Sequence, residues 1–213
     1  MAKQTIELFC GTKSFSKVAK RKGYKTFTVD IEAKFKPSIC IDILNLDPKT
    51  LPQKPFILWA SPPCTAFSVA SIYHYWKNGR PKSYKTYIGL AIIKKTLEII
   101  EEIKPTYWFI ENPRGMMRNQ EFMKRLPKRN TVTYCQYGFN VQKPTDIFTN
   151  CLLWNNNKTC EAGANCHESA KRGSDNGTQN QNRDPEKRAI IPPLLFEEIF
   201  NSIENPTEEQ KTL

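Results

Sequence analysis

The stretch PFILWASPPCTAFS at residues 55–68 joins an apolar run to a turn that contains two prolines and Cys64. The apolar run, residues 55–60, predicts a buried strand. Proline fixes φ and has no backbone N–H, so the turn can hold the thiol at the carboxyl edge of a sheet, where open α/β folds bind ligands. A free cysteine is among the most buried residue types, and a core position is the alternative for Cys64 taken alone.

A second short apolar run, WFIENPRG at residues 108–115, also ends in polar side chains. Between the two runs, residues 87–103 carry apolar side chains at helical spacing. The order strand, helix, strand predicts a parallel crossover, which brings both strand ends to the same edge of the sheet. We therefore expect Cys64 and Glu111 to face one pocket.

The start of the chain predicts a nucleotide-type βαβ unit. Residues 5–9 favour a strand, Gly11 a turn, and Ser14 the N-cap of a helix that runs to about Lys22. Gly23 suits the left-handed position that ends a helix.

The next strand, residues 24–29, closes on Asp30, about 20 positions after Gly11, where a carboxylate can bond a ribose hydroxyl. The stretch 39–41 ends in the same way at Asp42. Taken alone, such an acidic residue more often lies at the solvated end of a loop. A glycine followed by an acid often marks only a turn and a helix cap.

Taken in order, these motifs resemble the DNA (cytosine-5) methyltransferases from about Thr5 to Asn150. The resemblance is carried by ELFCG at residues 7–11, by PPC at 62–64 with Phe67 and Ser68, and by Glu111 with Asn112. It implies an α/β class I methyltransferase fold, with a Rossmann-like, mostly parallel sheet and helices on both faces, plus a small irregular C-terminal region. It also implies S-adenosylmethionine as methyl donor and carbon 5 of cytosine in DNA as the methylated atom.

The resemblance implies that Cys64 adds to carbon 6 of the base and that Glu111 protonates the ring. The family's Gln-x-Arg-x-Arg pattern is missing, and Lys143, just before the strand-like residues 146–149, is assigned to the base carbonyl oxygen. Lys13 stands where the family usually has a glycine, which could reshape the cofactor turn. The cofactor contacts are assigned to the ends of the first strands and the cysteine turn: Phe9, Gly11, Thr12, Asp30, Ile31, Asp42, Ile43 and Pro63.

The charge balance fits a polyanionic partner, because 32 Lys and Arg outnumber 21 Asp and Glu to give a net charge of +11. Residues 71–80 interleave aromatics with cations, which is typical of a loop that closes over nucleic acid. A loop docked on the body by its Tyr and Trp is an equally good interpretation. We expect a duplex whose target cytosine is flipped out, since a stacked base cannot enter a pocket. The candidate contacts in this part of the chain are Ser68, Tyr73, Arg80 and Arg114.

The composition divides the chain into three parts. Residues 1–154 form the predicted catalytic domain, and residues 155–188, with hardly any large apolar side chain, form a loop-rich target-recognition segment. Residues 189–213 predict a C-terminal helix that returns to the catalytic domain, followed by a frayed tail. Arg172, Gln179 and Arg183 have side chains that pair with purine edges. A solvated loop is an equally good interpretation for most of them.

The cysteines leave one question open. Cys160, Cys166 and His167 offer three soft ligands, with Cys151 as a fourth, and zinc could staple the loop. The spacing matches no known knuckle and favours free thiols instead. Seven scattered cysteines fit reduced thiols in the cytoplasm, the host cytosol if the gene is mobile or viral. We expect a monomer without a membrane segment.

Two other functions remain open. Lys13 and the missing arginine pattern are compatible with a catalytically inactive nucleic-acid-binding module of the same fold. The Pro-Pro-Cys loop also occurs in the related transfer-RNA cytosine methyltransferases, so RNA is an alternative substrate.

Overall fold

The computed structural model describes residues 2–169 and 184–208. The strands in this part of the chain are β1 (Gln4–Leu8), β2 (Lys25–Asp30), β3 (Ile39–Cys40), β4 (Ile57–Ala60), β5 (Trp76–Lys77), β6 (Arg80–Pro81), β7 (Tyr107–Pro113), β8 (Lys128–Thr133) and β9 (Pro144–Thr149). The α-helices are α1 (Ser14–Arg21), α2 (Ile72–Tyr75), α3 (Tyr84–Ile103), α4 (Glu121–Lys124), α5 (Pro185–Ala189) and α6 (Pro193–Glu204). None of the described helices is long and apolar enough to cross a membrane.

A seven-stranded sheet organises the fold, in the order β3-β2-β1-β4-β7-β9-β8. The strands from β3 to β7 pair in parallel, whereas β9 runs antiparallel to both of its neighbours. The predicted crossover is confirmed, because α3 connects β4 to β7 and Ala60 pairs with Ile110. The Cys64 turn follows Ala60, and Glu111 follows Ile110. Both therefore lie at the same edge of the sheet.

The alternation of side chains along the strands builds a core on each face of the sheet. Leu58 and Ala60 of β4 face one core, where they meet isoleucines of α3. Trp59 faces the other, where its ring contacts Phe196 of α6 edge-on at 4.7 Å between centroids. Helices thus cover both faces, as the sequence predicts. Burial of each large apolar side chain contributes roughly 1.5–3 kcal/mol.

Helix α6 closes the second core. Phe196 and Phe200 lie 5.5 and 5.6 Å from the ring of Phe15 in α1, measured between centroids. Because α1 directly follows the turn that contains Gly11, packing of α6 against α1 also stabilises the position of this turn. The domain boundaries at residues 154 and 188 stay predictions.

Candidate active site

Cys64 lies on a closed turn directly after β4. Its carbonyl oxygen accepts backbone hydrogen bonds from Phe67 and Ser68, both at 2.9 Å. The ring of Phe67 is fully buried and anchors the turn, whereas Cys64 is only partly buried. The thiol is therefore held by a rigid turn and lies outside the sealed core.

The Cys64 turn is fastened to the end of β7. The Asn112 side-chain amide donates to the Pro62 carbonyl at 3.0 Å, and the Met116 backbone N–H donates to the Phe67 carbonyl at 2.7 Å. A Cβ atom at Gly115 would lie 2.0 Å from the same Phe67 oxygen, so only glycine allows this approach. These contacts fix the turn of the nucleophile relative to the strand of the carboxyl group.

Glu111 is buried within β7, where it pairs with Ile147 of β9. The strand does not end at Glu111, as the sequence suggested, because pairing with β9 extends it to Pro113. Its Oε1 accepts a hydrogen bond from the Tyr134 hydroxyl at 2.9 Å. Burial raises the pKa of Glu111, while the Lys143 charge and the hydrogen bond from Tyr134 offset part of the rise. A carboxyl group in this setting keeps its proton to a higher pH than free glutamate does.

Lys143 joins the same cluster. It is buried, it precedes β9 with φ at 30°, and its Nζ lies 4.7 Å from the centroid of the Tyr134 ring. The Nζ also donates to the Arg188 carbonyl of α5 at 2.9 Å. Its charge acts on both Cys64 and Glu111. The chain thus has a buried cation at this edge despite lacking the arginine pattern.

The pKa of the Cys64 thiol is raised, first by burial and then by the charge of Glu111, while Lys143 and Arg188 oppose the rise. Protonation of Glu111 would remove the second cause, so the acid form of Glu111 favours the thiolate. After Ser68 the chain forms a 3₁₀ turn, Val69–Ser71, which leads directly into the short helix α2.

The turn between β1 and α1 is held by a buried carboxyl group on β1. Lys13, rather than the expected Ser14, is the N-cap residue of α1, and its side chain makes no cap hydrogen bond. The Glu7 carboxylate accepts from the backbone N–H of Phe15 at 3.2 Å and of Ser16 at 2.9 Å instead. Burial raises the pKa of Glu7 to about 7. A strand residue therefore does the capping that the sequence assigned to a loop serine.

Asp30 closes the other side of this turn. Its Oδ2 accepts from the Gly11 backbone N–H at 2.8 Å, and its Oδ1 accepts from the Glu32 N–H at 2.9 Å. Gly11 has φ at 44° and faces open space where a Cβ would lie. The Thr12 hydroxyl lies 3.2 Å from the Ser14 hydroxyl, which completes the turn.

Lys13 adopts a left-handed backbone, with φ at 60°, a conformation that glycine enters at little cost. Its ammonium group donates to the Lys36 carbonyl at 2.5 Å and is exposed. The lysine therefore keeps a backbone conformation suited to the family's usual glycine, and its side chain reaches the loop after β2.

The other predicted cofactor residues lie near the carboxyl ends of β1 to β4. Phe9 is partly buried, Ile31 is 63% exposed and Pro63 is exposed in the Cys64 turn. Asp42 accepts from the Leu44 N–H at 3.0 Å. The side chain of Ile43 is buried in the core. The two carboxylates suit the hydroxyl groups of a nucleoside. The exposed Ile31 side chain and the open space at Gly11 suit its flat ring.

The predicted nucleic-acid residues beside the turn occupy its rim. The Ser68 hydroxyl lies 2.8 Å from the Ser71 hydroxyl, and the backbone of Ser68 bridges to Gly115. The bridge places Ser68 beside the exposed Arg114. Arg172, Gln179 and Arg183 lie outside the described residues.

The aromatic segment after the turn is docked on the body by its tryptophan and leaves other side chains exposed. Trp76 is buried, and its indole N–H donates to the Ala66 carbonyl at 2.5 Å, which docks the segment. Tyr73, in contrast, is 82% exposed, and Arg80 is exposed on the β5–β6 hairpin. A shallow cavity of about 470 Å³ on this hairpin is lined by Lys77, Asn78, Arg80, Pro81 and Lys82.

Cys160, Cys166 and His167 converge as the sequence suggested, but the fourth member of the group is Cys135. The four ligand atoms all lie within 4.8 Å of one another. The assignment of Cys151 as the fourth was wrong, because Cys151 is fully buried in the core on the α6 face of the sheet. Cys135 is distant in sequence, and only the end of β8 brings it to the other three.

Sequence reasoning missed three contributors to the site. Tyr134 follows a strand whose role was not assigned, Glu7 was quoted only as part of a motif, and Arg188 was placed in an irregular segment. A charged residue inside the apolar strand TIELF was a usable signal for Glu7. Tyr134 and Arg188 had none, because each acts through a contact across the fold.

The sheet is mostly parallel, with one antiparallel strand inserted near its end, and helices cover both of its faces. Acidic residues lie at successive strand ends. These features define a class I methyltransferase fold. The family model for C-5 cytosine-specific DNA methylase matches residues 4–142. This chain belongs to that family. It is also 32% identical over 152 residues to a protein named "Probable DNA (cytosine-5)-methyltransferase" from Frog virus 3, covering 68% of this chain and 69% of the viral protein.

Solved structures with a similar fold include a DNMT2 variant from Spodoptera frugiperda and the Dnmt2 methyltransferase of S. pombe. The first is 17% identical with a TM-score of 0.48, covering 75% of this chain and 54% of the other. The second is 12% identical with a TM-score of 0.47, covering 69% of this chain and 48% of the other. The chain spans about half the length of these solved structures.

Proposed function

We propose that this protein transfers a methyl group from S-adenosylmethionine to carbon 5 of a flipped cytosine in DNA, with Cys64 as nucleophile and Glu111 as acid. The observation that carries the proposal is the placement of these two groups at one sheet edge, where Ala60 of β4 pairs with Ile110 of β7 and the Asn112 side chain fastens the Cys64 turn through the Pro62 carbonyl. A core cysteine or an isolated surface acid would have no such partner.

The chemistry assigned to Cys64 follows from the ring. Carbon 5 of cytosine is a weak nucleophile, so the thiolate first forms a bond to carbon 6, which splits one difficult step into easier ones. The electron pair displaced by this attack collects toward N3, and the proton on Glu111 is donated there. Carbon 5 would then take the methyl group as the bond between that methyl and the sulfonium sulfur breaks and the neutral thioether leaves. A base or water then takes the carbon 5 proton, and the electron pair left behind re-forms the double bond between carbons 5 and 6 and expels the Cys64 thiolate. The proton on N3 returns to Glu111.

The cofactor is proposed to lie at the ends of β1 to β4. A bound S-adenosylmethionine would supply an electrophilic methyl group on its sulfonium centre. Asp30 and Asp42 present carboxylate oxygens, Gly11 leaves open space, and the exposed Ile31 offers an apolar surface for a ring. Phe9, Thr12, Ile43 and Pro63 complete the assigned contacts.

The lysine and the tyrosine near Glu111 are given separate roles. We assign Lys143 to the carbonyl oxygen of the base, since its buried ammonium group lies beside the Tyr134 ring. Binding of the base would then replace its present contact with the Arg188 carbonyl. Tyr134 donates to Glu111 and acts as a positioning residue that sets the direction of the carboxyl group.

DNA is proposed to bind across the rim formed by Ser68, Tyr73, Arg80 and Arg114. Exposed cations and an exposed aromatic ring suit a phosphate backbone and an unstacked base. The net charge of +11 favours the same partner. Base readout is assigned to residues 155–188, with Arg172, Gln179 and Arg183 as the contacts, and the protein is proposed to act as a monomer.

The decisive experiment uses a duplex oligonucleotide that contains 5-fluorocytosine together with a methyl-labelled donor. Fluorine cannot leave as a proton does, so the adduct stalls after methyl transfer. We expect a covalent, labelled complex whose nucleotide maps to the peptide containing Cys64. Cys64→Ala should form none while it keeps the unfolding midpoint of the unaltered protein.

Three results would contradict the proposal. Labelling of cytosine by Cys64→Ala would remove the covalent mechanism. Binding of duplex DNA without any methyl transfer would favour the alternative of a catalytically inactive nucleic-acid-binding module. Methyl transfer to RNA alone, in competition with DNA of the same sequence, would show that the substrate is RNA.

A further inference from the structure

The four side chains of Cys135, Cys160, Cys166 and His167 form a cluster that the methyl-transfer chemistry does not use. We propose that they bind one structural Zn²⁺ ion with three thiolates and one imidazole. We call this group the cysteine cluster. All seven cysteines and both histidines of the chain lie within the described residues.

Three of the distances between ligand atoms match the edges of a zinc tetrahedron. With Zn–S near 2.3 Å and Zn–N near 2.0–2.1 Å, a regular tetrahedron has S···S edges of about 3.8 Å and S···N edges of about 3.5 Å. Cys166 Sγ lies 3.7 Å from Cys135 Sγ and 3.5 Å from His167 Nδ1, and Cys160 Sγ lies 3.6 Å from the same nitrogen. The distance from Cys135 Sγ to Cys160 Sγ, 3.1 Å, is shorter than a tetrahedral edge and longer than the roughly 2.05 Å of a disulfide.

Hydrogen-bond donors surround the cluster in the way that thiolate ligands require. The Thr133 hydroxyl and the Gln142 amide each donate to Cys160 Sγ at 3.5 Å. The Gln136 amide donates to Cys166 Sγ at 3.3 Å. Donors of this kind stabilise the negative charge on metal-bound sulfur and orient the ligands. Neutral thiols buried for packing alone need no such polar surroundings.

The position of the cluster explains why a metal would be useful. Residues 155–169 contain neither helix nor strand and hardly any large apolar side chain. Their contacts with the fold include a hydrogen bond from the Thr133 N–H to the Lys158 carbonyl at 2.9 Å and one from the Gln142 amide to the Cys160 carbonyl at 3.0 Å. A segment that buries little surface gains stability from a metal that cross-links it to a strand end.

The ligand set also fixes the type of site. Protein side chains take all four positions, which leaves none for water or substrate and defines a structural zinc rather than a catalytic one. The metal would join the end of β8 to the start of the proposed recognition segment. Since Cys135 follows Tyr134 directly, the same ion would hold the residue that contacts Glu111.

The test is the metal content of the full chain purified without chelator. We expect about one zinc per chain, and a Co²⁺-substituted protein should show the visible bands of tetrahedral cobalt with sulfur ligands. Cys166→Ser should lose most of the metal. Cys40→Ser, which removes an exposed thiol outside the cluster, should keep it.

A second variant separates a ligand from a residue needed only for folding. His167→Cys supplies a fourth thiolate, so it should retain zinc and change the cobalt spectrum. Removal of zinc by a strong chelator should lower the unfolding midpoint by roughly 5–10 °C. Equal zinc content in Cys166→Ser and the unaltered protein, a Cys135–Cys160 disulfide in the purified chain, or no binding of Zn²⁺ or Co²⁺ would each overturn the proposal.

Discussion

The Tyr134 hydroxyl donates a 2.9 Å hydrogen bond to the buried carboxyl group of Glu111. The two residues lie 23 positions apart. Glu111 is on β7, Tyr134 directly follows β8, and β9 lies between these two strands. The contact connects the proposed acid to the cysteine cluster, because Cys135 is the next residue after Tyr134.

Tyr134→Phe should destabilise the protein by about 1–3 kcal/mol, because the variant leaves a buried carboxyl oxygen without its donor. The loss of the donor should also raise the pKa of Glu111 further, since this hydrogen bond lowers it now. Urea unfolding of the variant measures the first effect. Tyr73→Phe removes a hydroxyl from an exposed ring and should leave the midpoint unchanged; equal loss in both variants would refute the specific role of Tyr134.

Substitutions around Cys64 should move its thiol pKa in opposite directions. Glu111→Gln removes a negative charge and should lower the thiol pKa, whereas Lys143→Met removes a positive charge and should raise it. The rate of Cys64 alkylation by iodoacetamide as a function of pH, followed by peptide mass spectrometry, measures both. The coupled site predicts two shifts of opposite sign. Shifts of the same sign, or no shift in either variant, would show that these two charges do not set the thiol pKa.

Glu7 should make the protein less stable as pH rises from about 4.5 to about 7. The pKa of Glu7 is about 7 in the folded protein, against 4.5 for a glutamate that is exposed to water. Within that window the folded state keeps a proton that the unfolded state has lost, so stability falls as pH rises, by up to about 3 kcal/mol in total, and the loss is complete above pH 7.

Glu7→Gln should flatten that part of the curve, because an amide does not titrate. The measurement is urea unfolding at several pH values from about 4.5 to about 8 for both proteins. Parallel curves would mean that another group is responsible for the slope.

Lys13→Gly should stabilise the protein by about 0.5–1 kcal/mol. A left-handed backbone costs an L-residue roughly 1–2 kcal/mol, and glycine exchanges this cost for a smaller loss of chain entropy. The exposed contact with Lys36 contributes little to set against the gain. Lys17→Gly, the same change at an exposed position inside α1, should destabilise by about 1 kcal/mol. Thermal unfolding compares them, and a loss in both variants would contradict the strain at Lys13.

The sheet was largely predictable from local patterns. The apolar runs before Ser61 and Glu111 and the helical spacing between them indicated a parallel crossover, because a parallel connection of that length needs a helix on one face of the sheet. Caps were less predictable. Ser14 has the side chain of a helix N-cap, but a carboxylate on the neighbouring strand satisfies the same N–H groups.

The amino-acid sequence alone determined which segments form the parallel strands, the order of the motifs and the presence of Cys64 on a proline-stiffened turn, since periodicity and backbone restriction act over a few residues. Only the tertiary structure decided the partners of those residues. Tyr134 reaches Glu111, Lys143 reaches the Arg188 carbonyl, and Cys135 replaces Cys151 in the cysteine cluster. Each of these contacts joins residues that are distant in the chain, and it depends on how β8, β9 and the C-terminal segment pack rather than on any local pattern.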